Sequence, residues 1–179
     1  MKAVLKRRAR KEYRIREIDT KIRASRTRNE ARIMAMASRS GISAPKLLLS
    51  QGFDIYMGFV EGERLDSLVE RKAGPEIFGP VGSLLGRLHR INIAHGDYTP
   101  ANIVVRDGSP CIIDFGLAQV TGTAESKALD LLLMKRSIGR IQYRRLVSGY
   151  RDGFSGAGEV LKRLEVIERR GRYQKRTLQ

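Results

Sequence analysis

Hydrophobic positions along the chain change period several times, and each change predicts an element. "KAVLK" (residues 2–6) sets Val4 among outward-facing residues and reads as the end of a strand. From Asp19 to Ser40, Ile22, Ile33, Met34, Met36 and Ala37 build an apolar stripe, so a helix is expected there, with Asp19 as its cap and Gly41 as its stop. "APKLLLSQG" and "FDIYMGFVEG" are short β-prone runs parted by turn residues, which predicts an antiparallel pair. After Gly62, "RLDSLVERK" suits a short helix and "GPVGSLLGRLHRINI" a longer one with Val81, Leu84, Leu85 and Leu88 on one side. A hairpin follows, in which residues 103–105 run out, "RDGS" turns and residues 111–113 return, because Asp-Gly is a favoured hairpin turn. "ESKALDLLLMKRSIGRI" is dense enough in apolar residues to be a buried helix, and "AGEVLKRLEVIERRGRYQKR" is amphipathic as far as Gly171.

These elements predict an α+β protein of two lobes: residues 1–62 form a small lobe of sheet plus one helix, and residues 63–179 a mostly helical one. No apolar run approaches the roughly 20 residues that span a bilayer, and no secretory signal is apparent, so a soluble cytoplasmic protein with no membrane partner is expected. The single cysteine, Cys111, excludes an intrachain disulfide and reads as a small core residue. Charge changes the picture more. Lys and Arg number 35 against 19 Asp and Glu, a formal net charge of +16. Such an excess favours a polyanionic partner such as RNA, since neutralising phosphates releases counterions.

The hairpin also carries the candidate chemistry. Its return strand delivers Asp114 beside the loop that holds Asp97 and Asn102. Magnesium takes hard oxygen ligands, commonly one or two carboxylates with phosphate oxygens and water, which Asp114 and Asn102 can satisfy. Asp97 is then placed to accept a hydroxyl proton or to orient a water. Asp130, in the apolar run "ALDLLL", needs partners if it is buried; His89 is expected to be a partly buried packing residue.

His95-Gly96-Asp97, then Asn102, then Asp114-Phe115-Gly116 resembles the catalytic loop and metal motif of protein kinases. Gly96 in place of arginine and Thr99 in place of lysine point to the RIO-like atypical group. "HGDYTPANIVV", "ESKALDLLLMKRSI", "KEYRIREID" and "ERRGRY" are similar to the small kinase subunits of KEOPS complexes, which assist threonylcarbamoyladenosine formation in tRNA. The resemblance implies a bilobal kinase-like fold, ATP and Mg2+ as cofactors, and as partners the KEOPS metalloprotein catalytic subunit, a small regulatory subunit and tRNA. By position it implies that Lys6 contacts phosphates with Glu30 as its helix partner, that Met57, Gly58 and Val60 belong to the adenine-contacting segment, that Asp130 accepts backbone hydrogen bonds from the catalytic loop, and that His95 packs behind it. Packing is the alternative for Met57 and Phe59.

Two departures stand out. Only five residues precede Lys6, so the glycine-rich phosphate lid of kinases is expected to be absent, encoded upstream or supplied by a partner. No Ala-Pro-Glu element follows Asp114-Phe115-Gly116, which suits ATP hydrolysis or autophosphorylation better than peptide phosphorylation. At the C-terminal end, Arg169, Arg170, Arg172, Lys175 and Arg176 surround Tyr173, a set able to pair with phosphates and stack on a base. A plain helix-end charge cluster is the bland alternative. The leading expectation is an atypical Ser/Thr kinase or ATPase subunit; a catalytically incompetent RNA-binding scaffold and a small-molecule phosphotransferase are the others.

Overall fold

A computed structural model describes the backbone of residues 2–176 and the side chains of residues 2–170. β1 (Ala3–Arg7), β2 (Leu47–Gln51) and β3 (Asp54–Gly58) form an antiparallel sheet in the order β1-β3-β2. Its register pairs Val4 with Met57 and Lys6 with Ile55. Because strand side chains alternate, these four residues share one face, and Ile55 and Met57 are buried on it. Helix α1 (Arg16–Arg39) covers that face with Ile33, Met34 and Ala37, none of them exposed.

Asp19 does not cap α1. The helix starts three residues earlier, after Ile15, with no side-chain cap bond. Asp19 is instead fully buried, accepting bonds from the Lys11 N–H (3.3 Å) and the Arg23 guanidinium (2.6 Å). Burial opposes its charge, yet these donors hold its carboxyl below the usual carboxylate range. Arg23 lies 3.8 Å over the Phe53 ring and donates to the Arg8 carbonyl (3.2 Å). One buried carboxylate therefore fastens the β1–α1 connection to the helix.

Gly62 lies between β3 and the next strand. Its φ of 138° is open to glycine, and a Cβ there would meet the Val105 carbonyl oxygen at 2.4 Å. β4 (Glu63–Arg64) pairs with β6 (Ile103–Arg106), which pairs with β7 (Ser109–Ile112); β5 (Ile93–Ala94) pairs with β8 (Gln119–Val120). Helices α2 (Leu65–Glu70), α3 (Phe78–Arg90), α4 (Ala124–Ser137), α5 (Arg140–Gly153) and α6 (Ala157–Arg176) make up most of the rest. Val81, Leu84, Leu85 and Leu88 are buried as their spacing predicts.

The periodicity missed α5, whose sequence "RIQYRRLVSGYRDG" buries only Leu146, Gly149, Tyr150 and Gly153. Glycines, not aliphatic side chains, mark its contact face. A Cβ on Gly82 of α3 would lie 1.9 Å from the Leu146 carbonyl oxygen, and one on Gly149 1.9 Å from that of Gly79, so the two backbones touch. Nor does α6 stop at Gly171, for it runs on to Arg176; an interior glycine costs about 1 kcal/mol and did not break a long helix. Among the described residues, no helix is long and apolar enough to cross a membrane.

Gly82→Ala is expected to force α3 from α5 and lower stability by about 3 kcal/mol. Gly79→Ala, whose Cβ meets nothing within 4 Å, should leave the urea unfolding midpoint unchanged or slightly raised.

Candidate active site

The loop after β5 is held from below by a fully buried carboxylate. Asp130 of α4 accepts from the backbone N–H of His95 (2.6 Å) and of Gly96 (2.7 Å), and lies 3.0 Å from His89 Nε2. The sequence-based role for Asp130 is therefore visible as geometry. His89 is buried completely rather than partly, with Nδ1 2.8 Å from the Tyr150 hydroxyl. Burial keeps its pKa below the ordinary imidazole value although Asp130 favours the charged form. His95 is also buried, between the rings of Tyr98 and Phe115 at 5.6 Å each, and burial lowers its pKa too. Both imidazoles are neutral near pH 7, and His95 packs behind the loop.

Gly96 explains the missing arginine. Its φ is +77°, and a Cβ would stand 2.5 Å from the Leu117 carbonyl oxygen. Any side chain at 96 would displace the segment that follows Asp114-Phe115-Gly116.

Ribbon register brings the polar side chains together. Asp107 and Gly108 both adopt positive φ (50° and 73°), as a two-residue hairpin turn requires, and the register then runs from Arg106↔Ser109 back to Ile103↔Ile112. At the base, the Ile113 N–H donates to the Asn102 carbonyl (3.0 Å), which sets Asp114 next to the catalytic loop. Asn102 spends both amide protons on Asp97, on its carbonyl and on its Oδ2, each at 2.9 Å. Its Oδ1 is the atom left to face a cation. Asp114 Oδ1 accepts from the Gly116 N–H (2.7 Å) and pairs with Lys6 Nζ (2.7 Å). Burial disfavours the charge on Asp114, but Lys6 and the Gly116 N–H outweigh it and hold the carboxyl below its usual range.

Lys6 Nζ also donates to Glu30 Oε1 at 2.6 Å, so the pair named from the sequence is formed. Glu30 is buried, and its Oε2 takes the Arg8 guanidinium, a residue the sequence reading missed. Period-two alternation could have found it, since Arg8 lies two residues beyond Lys6. Asn29 of α1 donates to the Ala118 carbonyl (3.0 Å), tying the helix that carries Glu30 to the segment after the metal motif.

Met57 is 5% exposed and packs inward, whereas Phe59 is 51% exposed, so packing does not account for Phe59. The N–H groups of Gly58 and Phe59 donate to the carbonyls of Lys46 (2.9 Å) and Lys2 (3.0 Å), which fixes the shape of this segment. Gly58 and Val60 border a 590 Å³ cavity with Lys46, Arg106 and Cys111 on its wall, which neither Asp97 nor Asp114 lines. Arg169 and Arg170 are exposed on α6; the side chains of Arg172, Tyr173, Lys175 and Arg176 lie outside the described residues.

Among the described residues no cluster of three or more His, Cys, Asp or Glu side chains could hold a metal unaided. One carboxylate and one amide oxygen, Asp114 and Asn102, fit a magnesium ion that brings phosphate and water ligands of its own.

Asp130→Asn keeps the side-chain shape but cannot accept from both loop N–H groups. It is expected to lower unfolding free energy by about 2 kcal/mol, measured by urea titration, and to raise amide exchange at His95 and Gly96.

Comparison with known proteins gives a coherent family. The RIO domain family matches residues 1–143. The "KEOPS complex subunit Bud32" of Pyrococcus abyssi is 36% identical over 99% of this chain and 87% of its own length. A "Probable bifunctional tRNA threonylcarbamoyladenosine biosynthesis protein" of Methanoculleus marisnigri is 39% identical over 95% of this chain, which spans 33% of that longer protein. Among solved structures, the Rio2 kinase-ADP/Mg2+-phosphoaspartate complex of Chaetomium thermophilum superposes with a TM-score of 0.60 at 19% identity, covering 91% of this chain and 58% of the other. That likeness establishes a kinase-like fold.

Proposed function

The chain belongs to the RIO domain family, and from that premise we propose that it is an atypical Ser/Thr kinase or ATPase subunit of a KEOPS complex that supports threonylcarbamoyladenosine modification of tRNA. The observation that carries this reading is the joint placement of Asp97, Asn102 and Asp114 by one β ribbon, next to the Lys6–Glu30 pair. In this reading residues 1–62 are one lobe and residues 63–179 the other, with the nucleotide between them. Mg2+-ATP supplies the transferable phosphoryl group and the cation that neutralises its charge. Asn102 and Asp114 would hold the metal, and Lys6, braced by Glu30, would hold phosphate oxygens. Met57, Gly58 and Val60 border the base. Asp97, pinned by the Asn102 amide, orients the acceptor hydroxyl or water and takes its proton.

The arrangement suits phosphoryl transfer because that reaction demands positioning and charge stabilisation more than covalent help from the protein. Water or a hydroxyl of the chain itself is the acceptor, consistent with the short segment between Gly116 and α4. As partners we assign the KEOPS metalloprotein catalytic subunit, a small regulatory subunit and tRNA, in the cytoplasm. Arg169, Arg170, Arg172, Tyr173, Lys175 and Arg176 at the end of α6 contact the RNA.

A second reading, a nucleotide-free RNA-binding scaffold, draws on the net charge of +16. Phosphate release with Mg2+-ATP, with and without tRNA, separates the two. Turnover is expected, stimulated by tRNA and reduced at least about 100-fold by Asp97→Ala or Asp114→Ala. Unchanged turnover in both variants, or tRNA binding without nucleotide binding in the wild type, favours the scaffold.

A further inference from the structure

Lys6 is asked to serve two carboxylates at once. Its ammonium stands 2.6 Å from Glu30 and 2.7 Å from Asp114. If a metal engages Asp114 and phosphates draw on Lys6, Glu30 must share its cation with an arriving polyanion. Glu30 is 1% exposed, so water cannot compensate. A second fixed cation solves this, and the structure supplies one.

Arg8 places Nη2 on Glu30 Oε2, the oxygen opposite the one Lys6 uses. Two carboxylates, Glu30 and Asp114, thus face two cations. The guanidinium reaches the metal motif as well: the point a Gly116 Cβ would occupy lies 3.4 Å from Arg8 Nη2, 3.5 Å from Lys6 Nζ and 2.9 Å from Asp114 Oδ1. Both backbone groups of Arg8 are anchored, its N–H to the Phe53 carbonyl (3.1 Å) and its carbonyl to Arg23 Nη1 (3.2 Å), while Arg23 is held by the buried Asp19. Its Nε is buried without a partner among the described residues. Arginine suits a site only 19% exposed, being permanently charged and weakly hydrated.

We propose that Arg8 is a positioning residue of the nucleotide site: by neutralising Glu30 from the far side, it keeps the Glu30 carboxylate in place and lets Lys6, still braced by Glu30, give up Asp114 for phosphate. This rests on the reading that the cleft binds Mg2+-nucleotide. Arg8 acts through Glu30 and not by touching the ligand, so its contribution vanishes when the Glu30 charge is removed.

The experiment is a double-mutant cycle on the full chain, with Mg2+-ADP affinity read by calorimetry and the ligand-free melting temperature alongside. Arg8→Ala is expected to weaken Mg2+-ADP about tenfold and lower the melting temperature, with Arg8→Lys within about threefold of wild type. In a Glu30→Gln background, Arg8→Ala should change affinity by less than about twofold and cause no further loss of melting temperature. If Arg8→Ala fails to fold, Arg8→Gln, which keeps a donor but no charge, carries the same comparison. Wild-type binding that Arg8→Ala leaves intact overturns the inference alone. An equal tenfold loss in both backgrounds overturns it too, since Arg8 would then contact the nucleotide itself. Absence of Mg2+-ADP binding by the wild type defeats the underlying nucleotide reading and the inference with it.

Discussion

A single backbone bond, from the Ile113 N–H to the Asn102 carbonyl, closes the base of the β6–β7 ribbon, and the placement of Asp114 beside the loop of Asp97 and Asn102 depends on it. Strand register is quantised: a slip of one residue would turn Asp114 to the opposite face and take it away from Lys6. The turn enforces the register, because Asp107 and Gly108 both sit at positive φ and allow no other two-residue closure. Function thus begins in local backbone chemistry, before the metal motif is reached.

Buried carboxylates carry the next level of order. Asp19, Glu30 and Asp130 are each 1% exposed or less, and each is satisfied by at least two donors. Burying such charges is expensive unless every oxygen is paired, so each one tolerates few alternative arrangements of its neighbours. Asp130 fixes the catalytic loop, Asp19 fixes the β1–α1 connection, and Glu30 couples that connection to Asp114 through Lys6 and Arg8. Asp19, Arg23, Arg8, Glu30, Lys6 and Asp114 form one contiguous polar chain across the small sheet's inner side.

Much of this was legible in the sequence where a local rule and a tertiary demand agree. The Asp-Gly turn announced the ribbon, aliphatic spacing announced α3, and an aspartate inside an apolar run announced a buried acceptor. Legibility failed where packing is made by absence. α5 escaped because its contacts are glycine backbones against α3, which leave no hydrophobic signature. Asp19 resembled a cap because an N-cap and a first-turn aspartate look alike until burial distinguishes them. Arg8 was hidden among neighbouring basic residues just past the end of β1, and only its pairing with Glu30 gives it a role. Lys6 and Glu30, 24 residues apart, needed the family register to be paired at all.

The assignment of the ribbon as a metal and nucleotide platform is tested most directly by a crystal structure of the chain with Mg2+ and a non-hydrolysable ATP analogue. Oxygens of Asp114 and Asn102 are expected within about 2.1 Å of the ion, with Lys6 on the phosphates and Glu30 still holding Arg8. A nucleotide bound elsewhere, or an ion that coordinates neither Asp114 nor Asn102, contradicts it.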